Sequence, residues 1–183
     1  PFWRNAEQVY LNSIPIKDYK IKKLNTTKSF FKNTIEPKNI LPKKNWFKKF
    51  EKYWNVSELQ SKKILRNHLD NKIKNYGTSR DIPSIEGTSK LSPYIKHGQI
   101  HVATIWKKCA ELKSKNIGYR KYINELGWRE FSHSLINYFP EFLNGNFRKE
   151  FDNFPWVKND KFLKAWKKGM TGYPIVDAGM REL

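Results

Sequence analysis

Three hydroxyl side chains, Thr88, Ser89 and Ser92, fall close together in the stretch EGTSKLS. Hydroxyls beside the free N–H groups of a helix start make a ready phosphate site, and the same residues also suit a plain N-cap turn. A second group lies further on, where Tyr122, Glu125 and Arg129 recur at i, i+3 and i+7 and Trp128 follows Glu125 by three. On a helix these side chains share one face. That helix is otherwise apolar at Ile123, Leu126 and Leu135. A face carrying a Glu, an Arg and two rings there calls for a partner, because unpaired charges are costly to bury.

Other chemistries find less support. No G-x-x-x-x-G-K-[ST], G-x-G-x-x-G or G-x-S-x-G pattern occurs in the chain. His97 and His101 are four apart, the spacing of paired metal ligands, but the Glu of H-E-x-x-H is missing and Gly98 weakens a helix between them. No metal site is expected. His68 and His133 fall on expected helices and read as ordinary surface or partly buried residues. The single cysteine, Cys109, excludes an intrachain disulfide and a cysteine-based zinc cluster, and its apolar neighbours at helical spacing make it a small core residue.

The elements that must position these groups follow from composition and periodicity. The chain has 183 residues, suited to one domain with a core, and aromatic residues make up 15% of it, too many for a disordered basic tail. The formal charge of +19 points to a polyanionic partner such as nucleic acid or an anionic membrane surface. Lys far outnumbers Arg, and Asn and Ile are plentiful, a pattern that codon bias also produces. No apolar run is long enough to span a bilayer and no signal peptide opens the chain, so no membrane partner and a cytoplasmic location are expected.

Residues 1–55 are irregular in pattern, with Pro15, Pro37 and Pro42, and read as a linker with short ordered pieces held wherever Trp46, Phe50 and Trp54 are buried. The sequence SELQ from Ser57 fits a capping box, and Leu65, Leu69 and Ile73 predict a helix over about 57–75. Residues 76–94, rich in Gly, Pro, Ser and Thr, predict a long loop of the kind that binds ligands. Helices are expected over about 99–113, 119–139 and 160–168, and another starts at Pro174. Nothing alternates with period two. The class is all-α with long ordered loops, and Trp106 and Trp166 are read as core.

Five strings, EGTSKLSPY, ELGWREF, NFRKEFDNFPW, LKAWKKG and TGYPIVDAGMREL, occur in the order and at the spacing of the photolyase and cryptochrome family. The chain resembles in particular the class I microbial DNA photolyases, of the cyclobutane pyrimidine dimer type. The opening PFWR resembles the segment leaving the family's N-terminal antenna domain. The resemblance implies a fragment: residues 1–55 as the end of the antenna domain and the interdomain linker, and residues 56–183 as the N-terminal half of the helical FAD-binding domain. Such a piece is expected to be inactive and poorly stable alone.

For the whole protein the resemblance implies a deoxyribodipyrimidine photo-lyase, a carbon–carbon lyase that uses FAD and blue light to split pyrimidine dimers in damaged DNA and is a monomer at full length. Electron transfer from reduced flavin to the dimer breaks the cyclobutane bonds, and the electron returns. Tyr76, Thr88, Ser89, Lys90, Leu91 and Ser92 match positions that hold the flavin's phosphates and sugar. Tyr122 matches an aromatic position of the flavin pocket, commonly Trp, and Arg129 an Arg close to the flavin. Glu125 and Trp128 match the pair that meets the flipped-out dimer, and Arg80 matches a phosphate-contacting Arg. Trp156 matches the outermost member of a three-Trp electron-transfer chain. A second antenna chromophore, of folate or deazaflavin type, is implied for the antenna domain. A cryptochrome-type photoreceptor, a 6-4 photoproduct photolyase and a non-catalytic basic helical module that binds nucleic acid by charge are the competing expectations.

Overall fold

A computed structural model of the protein describes residues 2–12, 42–112 and 116–182. Among these residues every regular element is helical, as the absence of any two-residue alternation requires. They form two compact units, residues 1–134 and 135–183.

The first unit contains the core. Helix α1 covers Phe2–Asn12, and a 3₁₀ segment covers Asn45–Lys52. Then come α2 (Glu58–Asn67), α3 (Tyr76–Ser79), α4 (Ser92–Lys96), α5 (Val102–Ala110) and the long α6 (Ile117–Tyr138), which runs on into the second unit. Leu65, Ile73, Tyr94, Ile105, Trp106, Cys109, Ile123 and Leu126 close the core between α2, α4, α5 and α6. Cys109 and Trp106 are buried as expected, and burial pushes the Cys109 thiol up to about 12, which leaves it an inert packing group.

Helix α2 starts where the capping residue places it, with the Ser57 side chain accepting a hydrogen bond from the Gln60 N–H at 3.1 Å. Removing that cap by Ser57→Ala is expected to cost about 1 kcal/mol, read as a lower denaturation midpoint of the intact protein. The helix does not continue evenly to residue 75. His68–Lys72 form a π-helical turn, closed by the Ile73 N–H donating to the His68 carbonyl, and Ile73–Asn75 a 3₁₀ turn. The wider turn adds a residue to the register after His68, which is itself fully buried in the core. The expected loop over 76–94 is likewise shorter, since Tyr76–Ser79 and Ser92–Lys96 are helical.

The expectation of an irregular start is corrected at residues 2–12. Trp3 packs against Trp106 with ring centroids 4.8 Å apart, and Phe2 meets Phe131 edge-on at 5.4 Å, so α1 docks on α5 and α6. The Trp3 ring lies where a Cβ on Gly127 would stand, within 1.6 Å. Only glycine lets the two approach. Trp54 packs on the core beside Tyr94, whose hydroxyl donates to the Asn55 carbonyl at 2.9 Å, whereas Trp46 and Phe50 are exposed and Trp46 meets Phe47 and Phe50 edge-on. Of the linker expected over residues 1–55, residues 13–41, with Pro15 and Pro37, lie outside the described residues.

The second unit holds two 3₁₀ turns (Pro140–Leu143 and Lys149–Asn153), α7 (Asp160–Lys167) and α8 (Pro174–Glu182). Trp166, expected in the core, is half exposed there. Its rings gather in small groups instead, with Phe147 against Phe139 and Phe142, and Phe154 against Trp156. The turn before α8 is tied down by Asp177, which accepts from the Thr171 hydroxyl at 2.6 Å, the Thr171 N–H at 2.7 Å and the Gly172 N–H at 3.0 Å. These bonds, the Thr171 hydroxyl first, hold the Asp177 carboxyl below its ordinary value. A carboxylate with a depressed folded pKa contributes stability that is present above its ordinary value of 3.8 and lost as pH falls through the lower folded one. Amide-exchange protection at Thr171 and Gly172 is therefore expected to fall in that acid range, and Asp177→Ala to remove it at neutral pH.

Candidate functional site

The site candidates of the first unit sit on three pieces of chain: α3 with the residues after it, the loop ending at α4, and the middle of α6. The loop is strained at one point, because Lys90 has φ of +54°, the sole positive φ outside glycine among the described residues. Lys90 is exposed and pairs with Glu86 at 2.5 Å. Leu91 next to it is buried and anchors the loop, while Thr88 and Ser92 lie exposed on either side.

Ser89 joins this loop to α6. Its side chain accepts a hydrogen bond from the Tyr122 hydroxyl at 3.3 Å and another from the Leu91 N–H at 3.4 Å. Tyr122 is buried, and burial raises its hydroxyl well above the usual tyrosine value, so it stays protonated and donates. Its ring meets Tyr76 edge-on at 5.1 Å, and both touch His68, at 4.4 Å from Tyr122 and 5.6 Å from Tyr76.

Tyr76 also carries the charged part of the site. The Arg80 guanidinium lies over the Tyr76 ring, 5.4 Å from its centroid, and forms an ion pair with Glu125 of α6. Arg80 also reaches Asp81 at 3.3 Å. The hydrogen bond to Glu125 comes first among the causes that raise the Arg80 pKa, so the guanidinium is a fixed positive charge there. One helical turn on, Trp128 stands 63% exposed and touches Phe131 edge-on at 5.7 Å. It offers a free aromatic face beside a carboxylate.

Of the residues singled out in the sequence, Tyr76, Arg80, Ser89, Tyr122 and Glu125 form one connected network. Arg129 is held by its neighbour Glu130. Trp156 belongs to the second unit, where it is exposed against Phe154. His97 and His101 flank a break at Gly98, whose φ is +71°, and the His101 side chain caps α5 by accepting from the Ala103 N–H at 3.1 Å. No cluster of three or more metal-ligating side chains occurs among the described residues, and no helix there is long and apolar enough to cross a membrane. The sequence reading missed His68, whose place three residues after Leu65 and eight before Tyr76 was the available signal.

Residues 122–183 match the family model described as the FAD binding domain of DNA photolyase. Across its whole length the chain is 35% identical to a deoxyribodipyrimidine photo-lyase of Agrobacterium fabrum, of which it covers 39%. The chain belongs to the DNA photolyase and cryptochrome family. A second photo-lyase, from Alkalihalophilus pseudofirmus, is 34% identical over 76% of the chain and 29% of its own length. Among solved structures, a class III photolyase from Agrobacterium tumefaciens superposes with a TM-score of 0.75 at 33% identity, over 100% of this chain and 38% of that one. A Synechocystis cryptochrome superposes with a TM-score of 0.71 at 22% identity, over 100% and 40%, and shares the fold. The motifs resemble class I photolyases, whereas a class III photolyase stands among the structural neighbours. The chain spans about two fifths of the length of these two Agrobacterium photolyases.

Proposed function

We propose that the full-length protein is a deoxyribodipyrimidine photo-lyase that binds FAD and repairs cyclobutane pyrimidine dimers in DNA under blue light. The observation that carries this reading is the network on α6: Tyr122 held to the Ser89 loop on one side, and Glu125 with Arg80 beside exposed Trp128 on the other. In this reading residues 56–183 are the first half of the flavin domain and residues 1–55 the end of the antenna domain and the linker. DNA is the partner that suits the charge of +19, and the protein works as a cytoplasmic monomer.

The donor set fits the cofactor. Thr88, Ser89 and Ser92 supply hydroxyls and Lys90 a cation for a pyrophosphate, Leu91 fixes the loop from below, and Tyr76 and Tyr122 give an aromatic wall. Arg129 adds positive charge along α6. When bound, FAD supplies the light-driven electron chemistry. The chain's own residues do the rest. Trp128 offers a flat face for an extruded base, Glu125 a carboxylate for the polar edge of a thymine, and Arg80 both orients Glu125 and meets DNA phosphate. Trp156 passes electrons inward from the surface as the outermost Trp of a chain, and a folate or deazaflavin type chromophore serves the antenna domain.

Flavin absorbance of the protein purified from its full-length gene tests the cofactor assignment. Stoichiometric flavin in the unaltered protein, with affinity lowered about tenfold or more by Ser89→Ala, is the expected result for loss of a hydrogen bond to a charged group. A protein without flavin would leave a basic helical module that binds nucleic acid by charge.

A further inference from the structure

His68 stands out among the buried polar groups of the first unit. It is 1% exposed, and neither ring nitrogen has a hydrogen-bond partner. A phenylalanine would fill similar space without leaving two polar atoms unsatisfied. The residue also sits on the π-helical turn His68–Lys72, and such turns recur at functional sites. Its ring touches both aromatic residues of the candidate flavin wall, at 4.4 Å from Tyr122 and 5.6 Å from Tyr76. Through Tyr122 it reaches Ser89, and through Tyr76 it reaches Arg80 and Glu125.

We propose that His68 is a positioning residue of the flavin site: its uncharged ring braces Tyr122 and Tyr76, and protonating it loosens the Ser89 loop and releases bound flavin. This inference rests on the flavin reading given above. The surroundings favour a neutral ring. Lys72 on the same turn is a cation, Tyr76 and Tyr122 face the ring as protonated phenols, and Arg80 and Glu125 lie beyond Tyr76 as a pair that is already matched. Asp70 lies on the same turn but makes no hydrogen bond to either ring nitrogen, so no carboxylate is bonded to the ring. Burial first, and Lys72 second, lower the ring's pKa from 6.5 to about 4. A base whose folded pKa lies below its ordinary one destabilises the folded site as pH falls from 6.5 toward 4, because the opened form binds the proton better.

The test uses the intact flavin-loaded protein and the variants His68→Phe and His68→Gln, with flavin release followed by fluorescence between about pH 7 and pH 5. Release from the unaltered protein should accelerate about tenfold or more over that range, and a variant that keeps its flavin at neutral pH should show a rate flat to within about twofold. Histidine NMR of the unaltered protein gives a second reading that needs no substitution. By reciprocity, bound flavin must lower the pH at which the His68 ring titrates. Acid release in a flavin-retaining variant equal to that of the unaltered protein, or a His68 ring that titrates alike with and without flavin, would overturn the inference while leaving the flavin reading intact. An unaltered protein that never holds flavin would instead sink both.

Discussion

Replacing Trp106 by alanine is expected to destabilise the intact protein by about 3–5 kcal/mol, the range for removing a large aromatic side chain from a packed core. Trp106 is 1% exposed on α5 and carries Trp3 on its ring at 4.8 Å, while Trp3 in turn occupies the space left open by Gly127 of α6. The cavity would therefore undermine three helices at once, α1, α5 and α6, and α6 is the helix that presents Tyr122, Glu125 and Trp128. Chemical denaturation should give a lower midpoint with little change in slope, and flavin affinity should fall with it. A midpoint shift below about 1 kcal/mol would mean that α1 does not rest on this core.

Trp128→Ala should behave in the opposite way. The ring is 63% exposed and makes one edge contact, with Phe131, so its loss should leave the denaturation midpoint nearly unchanged. Affinity for DNA carrying a dimer should fall by about 1–3 kcal/mol, roughly 5- to 150-fold, as expected when a base loses its aromatic stacking partner. Affinity for undamaged duplex, which is set by phosphate contacts, should change little. Trp128→Phe should recover part of the loss. Equal weakening toward damaged and undamaged DNA would assign Trp128 to general surface contact rather than to recognition of the extruded base.

The elements whose signals are local were legible in the sequence. Ser57 began α2 because a serine oxygen meets a free N–H there, and α6 followed its apolar positions within two residues at either end. Much of the site network was legible as well, because Tyr122 and Glu125 share a helix face whatever packs on them. What escaped depended on tertiary contact. The docking of α1 rests on Trp3 meeting a glycine more than a hundred residues away, and no periodicity reports that. His68 escaped because its i+3 spacing from Leu65 says only that the two share a helix face, and a histidine there reads by type as a surface or partly buried residue. Trp166 looked like core by type alone, and residue type does not say whether a ring has a neighbour to bury it.

The most direct test of the central claim is the light-dependent loss of cyclobutane dimers from DNA incubated with the flavin-loaded protein made from the full-length gene. The account predicts that dimers disappear under blue light, persist in the dark, and persist under light when Glu125 and Trp128 are both replaced by alanine. Dimers that survive illumination with the unaltered, flavin-loaded protein would contradict it and move the reading to a light-sensing cryptochrome or a 6-4 photoproduct photolyase.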